Sequence, residues 1–164
     1  MHNYNLDTLS REQMISCMFD VHTGWLLGSA AQYIVKPQEG QSLIYVDMCN
    51  VHACNHKYTM SGTNARWIAS FRSTDNLVKI GGDEIGIYVN DEDVGGFLRR
   101  VTEAMVHNGV YAVFVVLGTS GSFTEDINRA DAMCSAIKLD LEQTGRKPNR
   151  DMPYVCLDSI VEYV

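Results

Sequence analysis

Segments whose apolar residues recur every three or four positions alternate along this chain with short continuous apolar runs, so helices must pack over strands rather than only over one another. Ser42 to Met48 is one such run; with Ile44, Tyr45 and Val46 it reads as a buried strand that carries Asp47 to its end. Val110 to Leu117 is the most hydrophobic. Two shorter runs, Leu77 to Ile80 and Ile85 to Val89, flank Gly81-Gly82-Asp83-Glu84, the pattern of a hairpin with a glycine turn. Helical faces separate the runs. They are Met14, Ile15, Met18 and Phe19 behind a Ser10/Gln13 capping-box pair; Leu26 to Val35, ended by Pro37 and Gly40; Ala65, Ile68 and Ala69; Val94 to Met105, ended by Asn108 and Gly109; and Ile127 to Leu141. Tyr154 to Leu157, after Pro153, reads as a terminal edge strand. The expected fold is one α/β (α+β) sandwich, a central, mainly antiparallel sheet of about five strands flanked by helices. Residues 1–19 form an N-terminal segment with a short helix, 20–150 the domain proper, and 151–164 the C-terminal strand and tail.

Size and charge exclude several classes of partner. At 164 residues and 46% hydrophobic content, there is one domain with a sizeable core. The net charge of −7, with Lys and Arg scattered, leaves no basic run to follow a phosphate backbone, so nucleic acid is not an expected partner. No stretch approaches the roughly 18–20 apolar residues of a membrane span, and Met-His-Asn-Tyr-Asn lacks the plan of a signal peptide. The five cysteines are odd in number and scattered, which favours free thiols in a reducing compartment and hence a cytoplasmic protein.

Chemistry concentrates at Asp47 and the Gly-Gly-Asp-Glu turn. Glycines let a backbone approach phosphate closely, and adjacent carboxylates are hard oxygen ligands for magnesium, so the pair suggests a metal-nucleotide site. Taken alone, the turn also fits an ordinary solvated hairpin.

Gly81-Gly82-Asp83-Glu84-Ile85 resembles the hairpin motif of the GGDEF family, with Ile for the usual Phe. Asp20-Val21-His22-Thr23-Gly24-Trp25-Leu26 is similar to that family's Asp-x-Leu-Thr-Gly-Leu opening. Asp47-Met48-Cys49 through Asn55 resembles its Asp-Ile-Asp…Ile-Asn-Asp stretch, Ala130-Asp131 through Lys138 its late Ala-Asp helix, and Gly145-Arg146 the Gly-Arg that follows. The match runs over about residues 20 to 147, in order. The resemblance implies a GGDEF/palm-type fold and a diguanylate cyclase-like nucleotidyltransferase that condenses two GTP into cyclic di-GMP. It implies Mg2+ or Mn2+ held by Asp47, Asp83, Glu84 and the Met48 carbonyl, with Asp47, Asp83 and Glu84 catalytic. It further implies terminal phosphates on the backbone of Asn50 and Val51 and on Lys138, close approach at Gly81 and Gly82, a base read by Asn55 and Asn64, and catalysis as a homodimer. Arg72 and Asp75, six residues before Gly81, resemble the family's inhibitory site for cyclic di-GMP. A regulatory protein partner fits such a signalling domain.

The sequence also departs from that pattern. Asn64 stands where the family has an Asp that accepts from guanine, and an amide both donates and accepts, so base choice can relax toward a mixed or adenine product. Lys79 replaces Arg, His52 replaces Lys, Thr59-Met60 replaces Gly-His, and the helix between Asn64 and Arg72 is about two turns short. These departures keep open a domain that binds GTP or cyclic di-GMP without turnover. Cys49, His52, Cys54 and His56 crowd together without zinc-site spacing and read as packed or solvated side chains. His22 and His107 have no evident partner, and Trp25 and Trp67 read as packing residues.

Overall fold

The computed structural model describes residues 8–143, 154–157 and 160–163. Its elements are α1 (Arg11–Ser16), β1 (Leu26–Leu27), α2 (Gly28–Ile34), β2 (Gln41–Cys49), α3 (Val51–Ala69), β3 (Val78–Lys79), β4 (Glu84–Asn90), α4 (Val94–Asn108), β5 (Tyr111–Gly118), α5 (Phe123–Gln143), β6 (Tyr154–Leu157) and β7 (Ile160–Tyr163). The strands form one sheet in the order β1-β3-β4-β2-β5-β6-β7. Only the β1/β3 and β5/β6 pairings are parallel, so the sheet is mainly antiparallel as expected.

Period-two alternation sorts β2 and β5 onto two faces. Ile44, Val46, Met48, Ala112, Phe114 and Val116 pack against Trp67 and Phe71 of the α3 region and Phe97, Val101 and Met105 of α4. Leu43, Tyr45, Val113, Val115 and Leu117 pack against Ala130 and Cys134 of α5. A smaller cluster of Ala31, Val78 and Phe123 joins α2 to the same face. Because β2 and β5 are covered on both sides, their runs are continuously apolar, and Asp47 is a rare charge among them.

The sheet has seven strands among the described residues rather than about five. Leu26 and Leu27, which fit a helical face by spacing, pair with β3 as a two-residue strand before α2 begins at Gly28. Tyr154 to Leu157 is a strand but not an edge, because β7 pairs along its outer side. Gly145, Arg146 and Pro153 lie outside the described residues. The capping box is present: Gln13 N donates to Ser10 Oγ and Ser10 N to Gln13 Oε1. Met18 to Asp20 are tied to the sheet by Leu27 N to Met18 O at 2.8 Å and Asp20 N to Trp25 O at 2.8 Å. No described helix is long and apolar enough to cross a membrane.

The sequence pattern finds only the second half of α3, because its first half carries no apolar stripe. The halves meet at Thr59, whose φ of 66° and ψ of 165° lie in a region that glycine alone occupies without strain. Its hydroxyl accepts from Gly62 N at 3.3 Å, which caps the second half. Thr59→Gly is therefore expected to stabilise the fold by about 1 kcal/mol, the relieved strain exceeding the lost cap, as read by chemical denaturation. A lower midpoint would show that the hydroxyl contributes more than the backbone costs.

Candidate functional site

The end of β2 and the turn before β4 build one cluster. Register places Asp47 opposite Glu84, on the sheet face covered by α5. The turn is closed by Ile80 N to Glu84 O at 2.9 Å, and Met48 N donates to Asp83 O at 2.8 Å, which draws the turn over the end of β2. Ligand oxygens of Asp47, Asp83 and Glu84 consequently lie within 4.8 Å of one another, and this is the one group of its kind among the described residues. Cys49, His52, Cys54 and His56 form no such group, although the His52 and His56 rings touch with centroids 4.9 Å apart.

Three carboxylates this close repel one another. Burial first, then the charges of Asp47, Asp83 and Asp131, push the Glu84 pKa above the usual carboxylate range. The cation that answers them is Lys138 of α5, whose ammonium pairs with Asp47 Oδ2. Burial works against the charged form of Lys138, but its hydrogen bond to Asp47 and the charge of Asp47 prevail and raise its pKa. The Cys134 thiol donates to the same oxygen at 3.5 Å. Burial foremost pushes Cys134 up and Cys49 up to about 11, so both are neutral thiols rather than nucleophiles. Tyr45, two residues before Asp47, donates its hydroxyl to Asp131 Oδ1 at 3.3 Å. Hard oxygens without a thiolate fit Mg2+ or Mn2+ better than a soft metal.

Gly81 has a steric reason to lack a side chain. A Cβ there would collide with the Glu84 carboxylate, whereas one at Gly82 would meet nothing within 4 Å. Since the obstacle is the far end of a flexible side chain, Gly81→Ala should displace Glu84 at little cost in stability. Mn2+ affinity is expected to fall roughly tenfold or more in Gly81→Ala and to change little in Gly82→Ala, as read by titration. Equal effects would contradict this packing.

β2 leads into α3 through Asn50, which takes a left-handed φ of 57° and gives the helix, which begins at Val51 shortly after Asp47, no side-chain cap. Asn55 is further along α3. Its Oδ1 is buried without a hydrogen-bond partner, an acceptor position of the kind a ligand group satisfies. Asn64 is exposed and lines a cleft of about 290 Å³ together with Trp25, Trp67, Lys79, Gly81 and Gly82. Among the described residues, no carboxylate lines that cleft.

Arg72 and Asp75 lie apart from this cluster. Asp75 accepts the Arg72 N–H at 2.8 Å and both Arg100 Nη1 at 3.1 Å and Nη2 at 2.9 Å, while Arg72 is exposed. The sequence reading misses Arg100, because nothing in its spacing from Asp75 marks the pair. It also misses the link between the opening segment and Lys79. Asp20 accepts from Thr23 N at 2.9 Å, Thr23 Oγ1 at 2.8 Å and Lys79 Nζ at 3.1 Å. Burial is the largest influence on Asp20 and pushes upward, yet these donors together bring its pKa down to about 2. The Cys134 thiol on Asp47 and the Tyr45 hydroxyl on Asp131 carry no motif either.

No protein-family model and no curated protein matches this sequence. Solved structures do. A microbial GGDEF domain studied with cyclic di-GMP superposes with a TM-score of 0.58 at 20% identity, over 86% of this chain and 99% of that one. The coiled coil and GGDEF domain of DgcB from Caulobacter crescentus, in complex with c-di-GMP, gives 0.57 at 14%, over 89% and 88%. Diguanylate cyclase SiaD from Pseudomonas aeruginosa, in complex with its activator SiaC, gives 0.54 at 15%, over 87% of this chain and 62% of that one. On this architecture, with the Gly-Gly-Asp-Glu turn set against the end of β2, the chain has the fold of the GGDEF domains.

Proposed function

We propose that the chain is a diguanylate cyclase-like nucleotidyltransferase that condenses two GTP into cyclic di-GMP, with Mg2+ or Mn2+ and as a homodimer. The observation that carries this reading is the convergence of Asp47, Asp83 and Glu84 within 4.8 Å at the end of paired strands. A divalent cation held by these carboxylates and the Met48 carbonyl would supply charge against the triphosphate and lower the pKa of the ribose hydroxyl. Glu84 takes the 3′-hydroxyl proton, a role that suits a carboxylate whose pKa burial and its neighbours have raised. The 3′-oxygen bonds to the α-phosphorus of the facing nucleotide, the bond from that phosphorus to the β-phosphate oxygen breaks, and pyrophosphate leaves. A second transfer closes the ring. Asn50 and Val51 N–H groups and Lys138 hold the terminal phosphates, Gly81 and Gly82 admit the nucleotide, and Asn55 and Asn64 read the base. Each attack needs a second bound triphosphate facing the first, so two copies must meet.

The cleft beside Asn64, lined by no carboxylate among the described residues, supports a second reading in which base choice is relaxed or nucleotide is held without turnover. Arg72 and Asp75 would bind cyclic di-GMP as an inhibitor, with the exposed Arg72 taking a phosphate and Arg100 yielding Asp75 to the base. An activator of the SiaC kind is a model for a regulatory partner. Incubation with Mg2+ and GTP, ATP or both, followed by mass spectrometry, tests the proposal. Cyclic di-GMP from GTP is expected. A mixed or adenine dinucleotide would support the altered base choice, and no product at high protein concentration would leave only the binding role.

A further inference from the structure

We propose that Lys138 is an exchangeable counter-ion of the carboxylate cluster. It holds Asp47 while the site is empty and is released to the phosphates when a divalent cation arrives, so that metal and nucleotide bind with positive coupling. This rests on the metal-nucleotide reading above. Asp47 is buried, with its side chain 8% exposed, and its Oδ2 already accepts from the Lys138 ammonium and the Cys134 thiol. Asp47, Asp83 and Glu84 share a space too small for three uncompensated charges, and Lys138 is the cation paired within it.

A divalent cation on either oxygen of Asp47 would sit within a few ångströms of that ammonium, and two cations across one carboxylate repel strongly at partly buried sites. Lys138 can leave. Its side chain is 45% exposed on α5, and swinging away breaks a single ion pair without opening the core. A divalent cation offsets two of the three carboxylate charges and so weakens their hold on the ammonium, whereas a triphosphate bound beside α3 offers it a denser negative charge. The nucleotide therefore binds the displaced lysine, and the displaced lysine no longer opposes the cation. Each ligand favours the arrangement the other needs, and such coupling is reciprocal.

Mn2+ binding to the full chain, followed by electron paramagnetic resonance without nucleotide and with a non-hydrolysable GTP analogue, tests this. Lys138→Met is expected to bind Mn2+ roughly threefold to fivefold more tightly than the wild type without nucleotide, the scale of a partly exposed ion pair. The analogue is expected to tighten Mn2+ binding in both proteins through the attraction of phosphate for the metal, but by a factor roughly threefold to fivefold smaller in Lys138→Met than in the wild type, the part that passes through Lys138. Lys138→Arg, which keeps the charge, should behave as the wild type in both conditions. Thermal unfolding checks that each variant folds, and Asp83→Asn should remove the Mn2+ signal, identifying it with this site. Unchanged or weaker Mn2+ binding by Lys138→Met without nucleotide would overturn the exchange and leave the metal site standing. Absence of any Mn2+ signal that Asp83→Asn removes would overturn the metal-nucleotide reading and the exchange together.

Discussion

Glu84→Ala is expected to lower cyclic dinucleotide synthesis on the order of a thousandfold or more while leaving thermal stability nearly unchanged. The two effects separate because the residue is half-buried at the start of β4, where its neutral main-chain bonds close the turn and its side chain serves the cluster. Removing it takes away the proposed base and relieves repulsion on Asp47 and Asp83, so the fold loses no packing and sheds an unfavourable charge. Product formation by mass spectrometry and thermal unfolding are the two readouts. Synthesis that persists in this variant would remove Glu84 from the chemistry.

Phe114→Ala is expected to cost about 3–5 kcal/mol, the largest loss of stability from any single truncation considered. Phe114 is fully buried at the middle of β5, in the cluster formed with α3 and α4. Its register partner on β2 is Val46, adjacent to Asp47. The cavity would therefore open beneath the strand end that carries the first carboxylate, and Mn2+ affinity should fall with stability. Denaturant midpoints test the cost, with Leu139→Ala, an exposed position on α5, as a control that should shift by less than about 0.5 kcal/mol.

The fold was legible where burial on both faces leaves a continuous apolar run, as in β2 and β5, and where a helix packs one stripe, as in α4. It was not legible at Leu26 and Leu27, because two residues cannot distinguish a strand from the start of a helical face. Nor was it legible in the first half of α3, where Cys54 is the buried residue and no apolar stripe repeats. For the site, Asp47 and the hairpin were legible from strand ends and glycines, and sheet register then brought them together. Lys138 followed from resemblance, but its pairing with Asp47, the Cys134 thiol beside it and the Arg100 clamp on Asp75 depend on where helices cross the sheet. Spacing along one chain holds no record of such crossings.

The most direct measurement is a crystal structure of the protein with Mn2+ and a non-hydrolysable GTP analogue, using the anomalous signal of the metal. The expected result is a Mn2+ peak bound by Asp47 and Asp83, with the triphosphate over Asn50 and Val51 and the Lys138 ammonium turned from Asp47 to a phosphate oxygen. Nucleotide density with no metal at Asp47 and Asp83, or a metal held elsewhere, would contradict it.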